Sequence, residues 1–200
     1  LVSRVWQRVA EEIGKGRQAF VVCPRIEPGS TEEGVPEELE FSEQVAPAAA
    51  VEVFEALKLN PSLAGVSRGL LHGQLDAASK DDIIQRFAAG EIQLLVSTTV
   101  IEVGVNVPNA TSMVILDADR FGISQLHQLR GRVGRGSHAG ICLMLTAAEP
   151  GTLAMQRLEA VASTLDGFKL SEVDLELRGE GDVLGENQSG GRSQLKLLRV

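Results

Sequence analysis

Short apolar runs alternate along this chain with longer stretches in which apolar residues recur every third or fourth position. "QAFVVCPRI" (18–26) is rich in Val and Phe and reads as a buried strand. "GVSRGLLHG" (65–73), "IQLLVSTT" (92–99), "SMVILDAD" (112–119) and "AGICLMLT" (139–146) read the same way. Between them the period lengthens to that of a helix. "APAAAVEVFEALKL" (46–59) brings Val51, Phe54, Leu57 and Lys58 onto neighbouring turns. "DAASKDDIIQRFAAG" (76–90) offers Asp76 as N-cap, one face of Ile83, Ile84 and Phe87, and Gly90 as its stop. "ISQLHQLRGRV" (123–133) is a third helix. Strands separated by such helices predict an α/β fold, a parallel sheet with helices on both faces. Ligands of such sheets bind beyond the carboxyl ends of strands. Those ends are "CPR" at 23–25, "HG" at 72–73, "STT" at 97–99, "DADR" at 117–120 and "TAAE" at 146–149.

The pattern changes after residue 148. "EPGTLAMQRLEAVASTLDG" (149–167) is amphipathic, with Met155, Leu158, Val161, Ala162 and Leu165 at helical spacing. "FKLSEVDLELRG" follows a tight turn at Asp166–Gly167, and the glycine-rich "EGDVLGENQSGGRSQLKLL" (180–198) reads as irregular. The expected organisation is a sheet domain over 1–148 and a helical hairpin with a loop over 149–200.

Charge modifies this picture in one place. The net charge is −8, yet the nine Glu between Glu27 and Glu55, a stretch without Lys or Arg, account for all of it; the remainder is close to neutral. That stretch reads as a solvated insertion running into a helix. Hydrophobic residues make up 44 %, enough for a sizeable core. No apolar run is long enough to cross a membrane. Leu1 is not an initiator Met and no signal peptide follows, so the chain reads as a piece of a longer, cytoplasmic protein. Cys23 and Cys142 lie in separate apolar runs and read as buried thiols, and the three histidines make no metal-ligand spacing with them.

The candidate chemistry lies in two stretches. Ser97, Thr98 and Thr99 end a strand with hydroxyls suited to phosphate contacts. In "QLHQLRGRVGRG" (125–136), Gly131 and Gly134 would let the backbone approach a ligand. Arg132 and Arg135, three apart, would project to one side of a helical turn, where two guanidinium groups match phosphoryl oxygens. A solvated basic helix end is the plainer alternative. No G-x-x-x-x-G-K-[ST] loop is present, since Gly14–Lys15 is followed by Gly16. Arginines that could complete a nucleotide site, without a loop to hold the nucleotide, fit a module that supplies arginine fingers to ATP on another domain. A non-catalytic nucleic-acid module is one rival. A dinucleotide-binding enzyme is another, but "CPRIEPGSTEEG" supplies no G-x-G-x-x-G turn.

"STTVIEVGVNVPNA" and "QLHQLRGRVGRG" resemble motifs V and VI of superfamily 2 helicases, "GLLHGQLD" the short motif before them, and "AFVVCPRI" motif IV. With "DGFKLSEVDLELRGEGDVLGENQSG", nearly the whole chain is similar to the RecG-type branch-migrating DNA helicases; the Mfd transcription-repair translocases share both the arginine string and the last motif. Gly136 and "VPNA" favour the RecG type, and Asn106 stands where Asp is common. The resemblance implies the second RecA-like domain with the translocation motif, working with a first RecA-like domain and a wedge domain on branched duplex DNA such as forks and Holliday junctions. It implies ATP with Mg2+, held mainly by the first domain. Arg135 would be the finger, with Arg132 beside it and Gln128 on the attacking-water side. Glu102, Gly104 and Asn106 would link nucleotide to DNA. His72, Gly73, Ser97, Thr98 and Thr99 would touch DNA phosphates, and Arg178 and Gln188 would serve translocation.

Overall fold

A computed structural model describes residues 2–24, 49–98, 107–136 and 138–185, with backbone alone for 178–185. Residues 25–48, with most of the acidic stretch, and Thr99, Glu102, Gly104, Asn106 and Gln188 lie outside the described residues. Helix α1 (Val2–Gly14) leads into β1 (Gln18–Val22), followed by α2 (Ala50–Lys58), β2 (Arg68–Leu71), α3 (Ala77–Ala88), β3 (Leu94–Ser97), β4 (Ala110–Ile115), α4 (Ile123–Arg130), β5 (Ile141–Met144), α5 (Leu153–Ser163) and α6 (Gly167–Gly185). The five strands form one sheet in the order β2-β3-β1-β4-β5, and every pairing is parallel. This is the expected α/β, RecA-like architecture.

The strands read as unbroken apolar runs because both faces of the sheet are covered. Alternate residues of β1 serve opposite faces. Phe20 and Val22 join Leu71, Phe87, Leu95, Met113, Ile115, Leu126 and Leu129 on one side. Ala19, Val21 and Cys23 join Trp6, Val9, Ile13, Leu57, Leu63, Leu94, Val96 and Val114 on the other. Phe20 and Phe87 meet at 4.9 Å between ring centroids, tilted at 54°, which ties α3 to the central strand. Leu158, Val161 and Leu170 of α5 and α6 belong to the first of these cores, so the terminal helices share apolar packing with the sheet.

Local signals explain the helix ends. The Asp76 carboxylate accepts from the Ser79 backbone N–H at 2.9 Å and so caps α3, as expected. The Ser79 hydroxyl, donating to the same carboxylate at 2.7 Å, and then this backbone bond hold its pKa below the usual carboxylate value. Gly90 follows α3 at φ +81, a left-handed stop. Thr152 caps α5 through the Met155 N–H, and Asp166 opens α6 through the Phe168 N–H at 2.9 Å. Two expectations are corrected. Helix α4 stops at Arg130 rather than Val133, because Gly134 takes φ +74. Residues 180–185, expected to be irregular, continue α6 to Gly185, since its backbone hydrogen bonds outweigh the propensity cost of the glycines. No helix among the described residues is long and apolar enough to cross a membrane.

Candidate nucleotide and nucleic-acid contact surfaces

In a parallel sheet every strand points the same way, so the sheet has one carboxyl edge and one amino edge. The candidate residues divide between them. At the carboxyl edge, β2 and β3 end side by side, with Leu71 opposite Ser97 and the Thr98 N–H bonded to the Leu71 carbonyl at 3.3 Å. This brings His72 next to Thr98. Ser97 and Thr98 are fully buried, and their hydroxyls, like His72 Nδ1, have no hydrogen-bond partner among the described residues. Burying a hydroxyl without a partner costs about 1–3 kcal/mol. The turn after β2 is held by Lys80, whose Nζ donates to the Gly73 carbonyl at 2.6 Å. Lys80 was not among the expected site residues. Its signal was the cation one turn after the cap of the helix that follows "HG".

Also at this edge, Asp117 adopts φ 45 and ψ 52, a left-handed conformation that Asp tolerates better than most residues. Burial, with the Asp117 carboxylate nearby, pushes the Cys23 thiol up to about 12. Burial raises Cys142 to about 11, with Arg130 opposing. Both cysteines are free; Cys23 is buried as expected, whereas Cys142 is half-buried.

The arginines occupy the opposite edge. Helix α4 starts near the carboxyl end of β4 and runs back to the start of β5, which places residues 131–140 at the amino edge. The idea of one helical turn presenting Arg132 and Arg135 together is corrected, because both lie beyond α4 in a non-helical turn. The glycines also serve a purpose other than the one expected. A Cβ on Gly134 would lie 2.7 Å from the Gly140 nitrogen, and one on Gly136 would lie 2.8 Å from the Pro108 carbonyl oxygen. The close approach is of the loop to its own chain. Gly131 has φ −66 and a Cβ there would meet carbonyls at 3.4 Å, so no constraint of conformation or space requires glycine.

The three arginines differ. Arg130 is structural: its guanidinium donates to the Val161 carbonyl and, at 2.7 Å, to the Thr164 carbonyl, and lies 2.9 Å from His127 Nδ1. It ties the end of α4 to the end of α5. Arg135 is exposed; its Nε donates to the Gly131 carbonyl at 2.6 Å, while both terminal nitrogens make no hydrogen bond among the described residues. Arg132 is half-buried in the same loop and Gln128 stands exposed on α4. Arg178 lies on α6 by its backbone. Among the described residues no group of three His, Cys, Asp or Glu is placed to hold a metal ion.

As in any parallel sheet, each link from strand to strand runs from the carboxyl edge to the amino edge; after β3 the described chain leaves at Thr98 and resumes at Val107 ahead of β4.

The sequence of residues 4–137 matches the helicase conserved C-terminal domain. The chain belongs to this helicase family. Within it, the chain is 51 % identical over 199 residues to the ATP-dependent DNA helicase RecG of Mycobacterium leprae, covering 100 % of this chain and 26 % of that protein. It is 48 % identical over 188 residues to RecG of Staphylococcus epidermidis, covering 94 % of this chain and 25 % of that one. The chain thus spans about a quarter of the length of these RecG relatives. Its fold is similar to that of RecG bound to a three-way DNA junction, with a TM-score of 0.67 and 40 % identity over 91 % of this chain and 21 % of the other.

Proposed function

We propose that the chain is the second RecA-like motor domain, with the translocation hairpin, of an ATP-dependent, branch-migrating double-stranded DNA translocase that remodels stalled forks and recombination junctions. The similarity to RecG supports the class. The observation that carries the mechanism is the separation of the arginines and the hydroxyls onto opposite edges of one sheet.

At the amino edge, Arg135 and Arg132 complete a nucleotide site whose phosphate-binding loop and Mg2+ belong to a first RecA-like domain. A planar guanidinium gives two parallel donors to phosphoryl oxygens, stabilising the charge of the transition state. Gln128 lies on the attacking-water side. At the carboxyl edge, His72, Gly73, Ser97, Thr98 and Thr99 contact DNA phosphates, which carry no sequence information and so permit stepping. Glu102, Gly104 and Asn106, which fall between β3 and β4 in the sequence, couple nucleotide to DNA. Residues 1–148 act as the motor domain, and 149–200 carry Arg178 and Gln188 to convert cleft closure into movement along branched duplex DNA beside a wedge domain.

Two variants of the full-length protein test this division. Arg135→Ala lowers kcat about 10³-fold or more, the scale for losing an arginine finger, and Arg135→Lys restores little because an ammonium lacks the planar fork. Arg178→Ala keeps most of the ATPase while fork unwinding collapses. Wild-type unwinding by Arg178→Ala, or wild-type hydrolysis by Arg135→Ala, overturns the assignment.

A further inference from the structure

We infer that the side-chain amides of Gln18 and Asn109, neither of which belongs to a phosphate-contacting set, position the arginine loop for hydrolysis; this rests on the nucleotide-site reading above. Gly136 follows Arg135 in the arginine loop. The carbonyl oxygen of Pro108 lies so near its Cα that a side chain there could not be accommodated without movement, since a Cβ would sit at 2.8 Å. Arg135 is the preceding residue, so the arginine loop rests on the Pro108–Asn109 corner. On its other side the loop is wedged at Gly134 against Gly140. The Gly140 contact leads only into the edge strand β5. The Pro108 contact leads into the middle of the sheet.

What holds that corner is a chain of amides. Asn109 Nδ2 donates to the Gly16 carbonyl at 2.9 Å and to Gln18 Oε1 at 3.2 Å. The Gln18 N–H donates to the Asn109 carbonyl at 3.0 Å, locking the same two residues through the backbone. Gln18 is 2 % exposed and its Nε2 donates to the Phe87 carbonyl and, at 2.8 Å, to the Ile92 carbonyl. The corner under the arginine loop is therefore tied to the α1–β1 turn, the first residue of the central strand, the end of α3 and the approach to β3. An Asn amide joins two carbonyl acceptors here, a bridge that Asp or Ala cannot make. One pair of amides thus sets where the arginines stand relative to the sheet.

Neither residue touches the nucleotide in this reading; both act through the position of Arg135. Reacting groups displaced by about 1 Å lose on the order of a hundredfold in rate. The experiment measures steady-state ATPase of the full-length protein on duplex DNA for Asn109→Ala, Arg135→Ala, the double variant and Gly136→Ala, with Tm for each. Asn109→Ala is expected to lower kcat about tenfold to a hundredfold while KM for ATP moves less than about threefold. Added to Arg135→Ala it should lower kcat no further, because its effect passes through that guanidinium. A role in folding alone would lower Tm and add to Arg135→Ala. Gly136→Ala leaves every amide bond in place and displaces the loop directly, so it carries the test if Asn109→Ala fails to fold, with the same kcat loss expected. Unchanged kcat in Asn109→Ala or Gly136→Ala, or a loss that adds fully to Arg135→Ala, overturns the inference. Wild-type hydrolysis by Arg135→Ala instead overturns the arginine-finger reading beneath it.

Discussion

Glu12 shows how much one residue can decide at the amino edge. It is 1 % exposed, yet charged, and its carboxylate meets Arg8 at 3.1 Å, Lys15 at 2.9 Å and Arg17 at 2.5 Å. The hydrogen bond from Lys15 is the largest influence on its pKa, which lies below the usual carboxylate value despite the opposing effect of burial. A depressed carboxylate pKa adds stability that is present above the unfolded value and is lost as pH falls through the folded one. Glu12→Gln should therefore lower stability by about 1–2 kcal/mol near neutral pH, a figure kept small because Arg8 and Lys15 are half-exposed. The difference between variant and wild type should shrink as the pH is taken below about 4. Urea melts at pH 7 and pH 3.5 check this, and a difference that grows in acid would contradict it.

At the scale of elements, the arginine loop is a short backbone wedge rather than an extension of α4. Gly134 has both a left-handed φ of +74 and no room for a Cβ, with the Gly140 nitrogen at 2.7 Å. Gly134→Ala meets both obstacles. The conformation alone costs about 1–2 kcal/mol, and the contact must be relieved by moving β5 or the loop. Full-length Gly134→Ala should lose ATPase strongly, whereas Gly131→Ala, at an ordinary φ, should retain most of it. Comparable losses in the two variants would mean that the loop is constrained by something other than this contact. The glycines were legible in the sequence as permissive positions, but not their partners: Pro108, well before Gly136 in sequence, is brought beside it only because β4 and β5 pair, and Gly140 meets Gly134 because the short loop between them folds back on itself.

At the scale of the molecule, two apolar cores cover a five-stranded sheet, and the hairpin adds to one of them. The described residues thus have what a folded unit requires, while the sequence lacks a phosphate-binding loop. The isolated 200-residue chain should unfold cooperatively and show no DNA-stimulated ATPase. It should bind duplex DNA weakly, with affinity falling as salt rises and without sequence preference, since the expected contacts are to phosphates. Measurable hydrolysis by the pure chain, or nanomolar binding of one defined sequence at physiological salt, would contradict this.

The sequence by itself determined the five strands, most of the helices, their alternation and the family, while helix α1 was seen only in the fold. These are local or nearly local properties: apolar periodicity, the Asp76 cap, the Gly90 stop, and motifs whose residues are contiguous. It also held the candidate arginines and hydroxyls as lists without places. Tertiary structure decided that the lists belong to opposite edges of the sheet, because α4 returns the chain to the amino edge before the arginines are reached. It decided that Arg130 is a structural clamp, since its carbonyl partners lie on another helix, 31 and 34 residues away. It decided, too, that Gln18 and Asn109, 91 residues apart, share one hydrogen-bonded corner. Pairings at that separation are set by strand order, and strand order is a property of the packed sheet that no local pattern encodes.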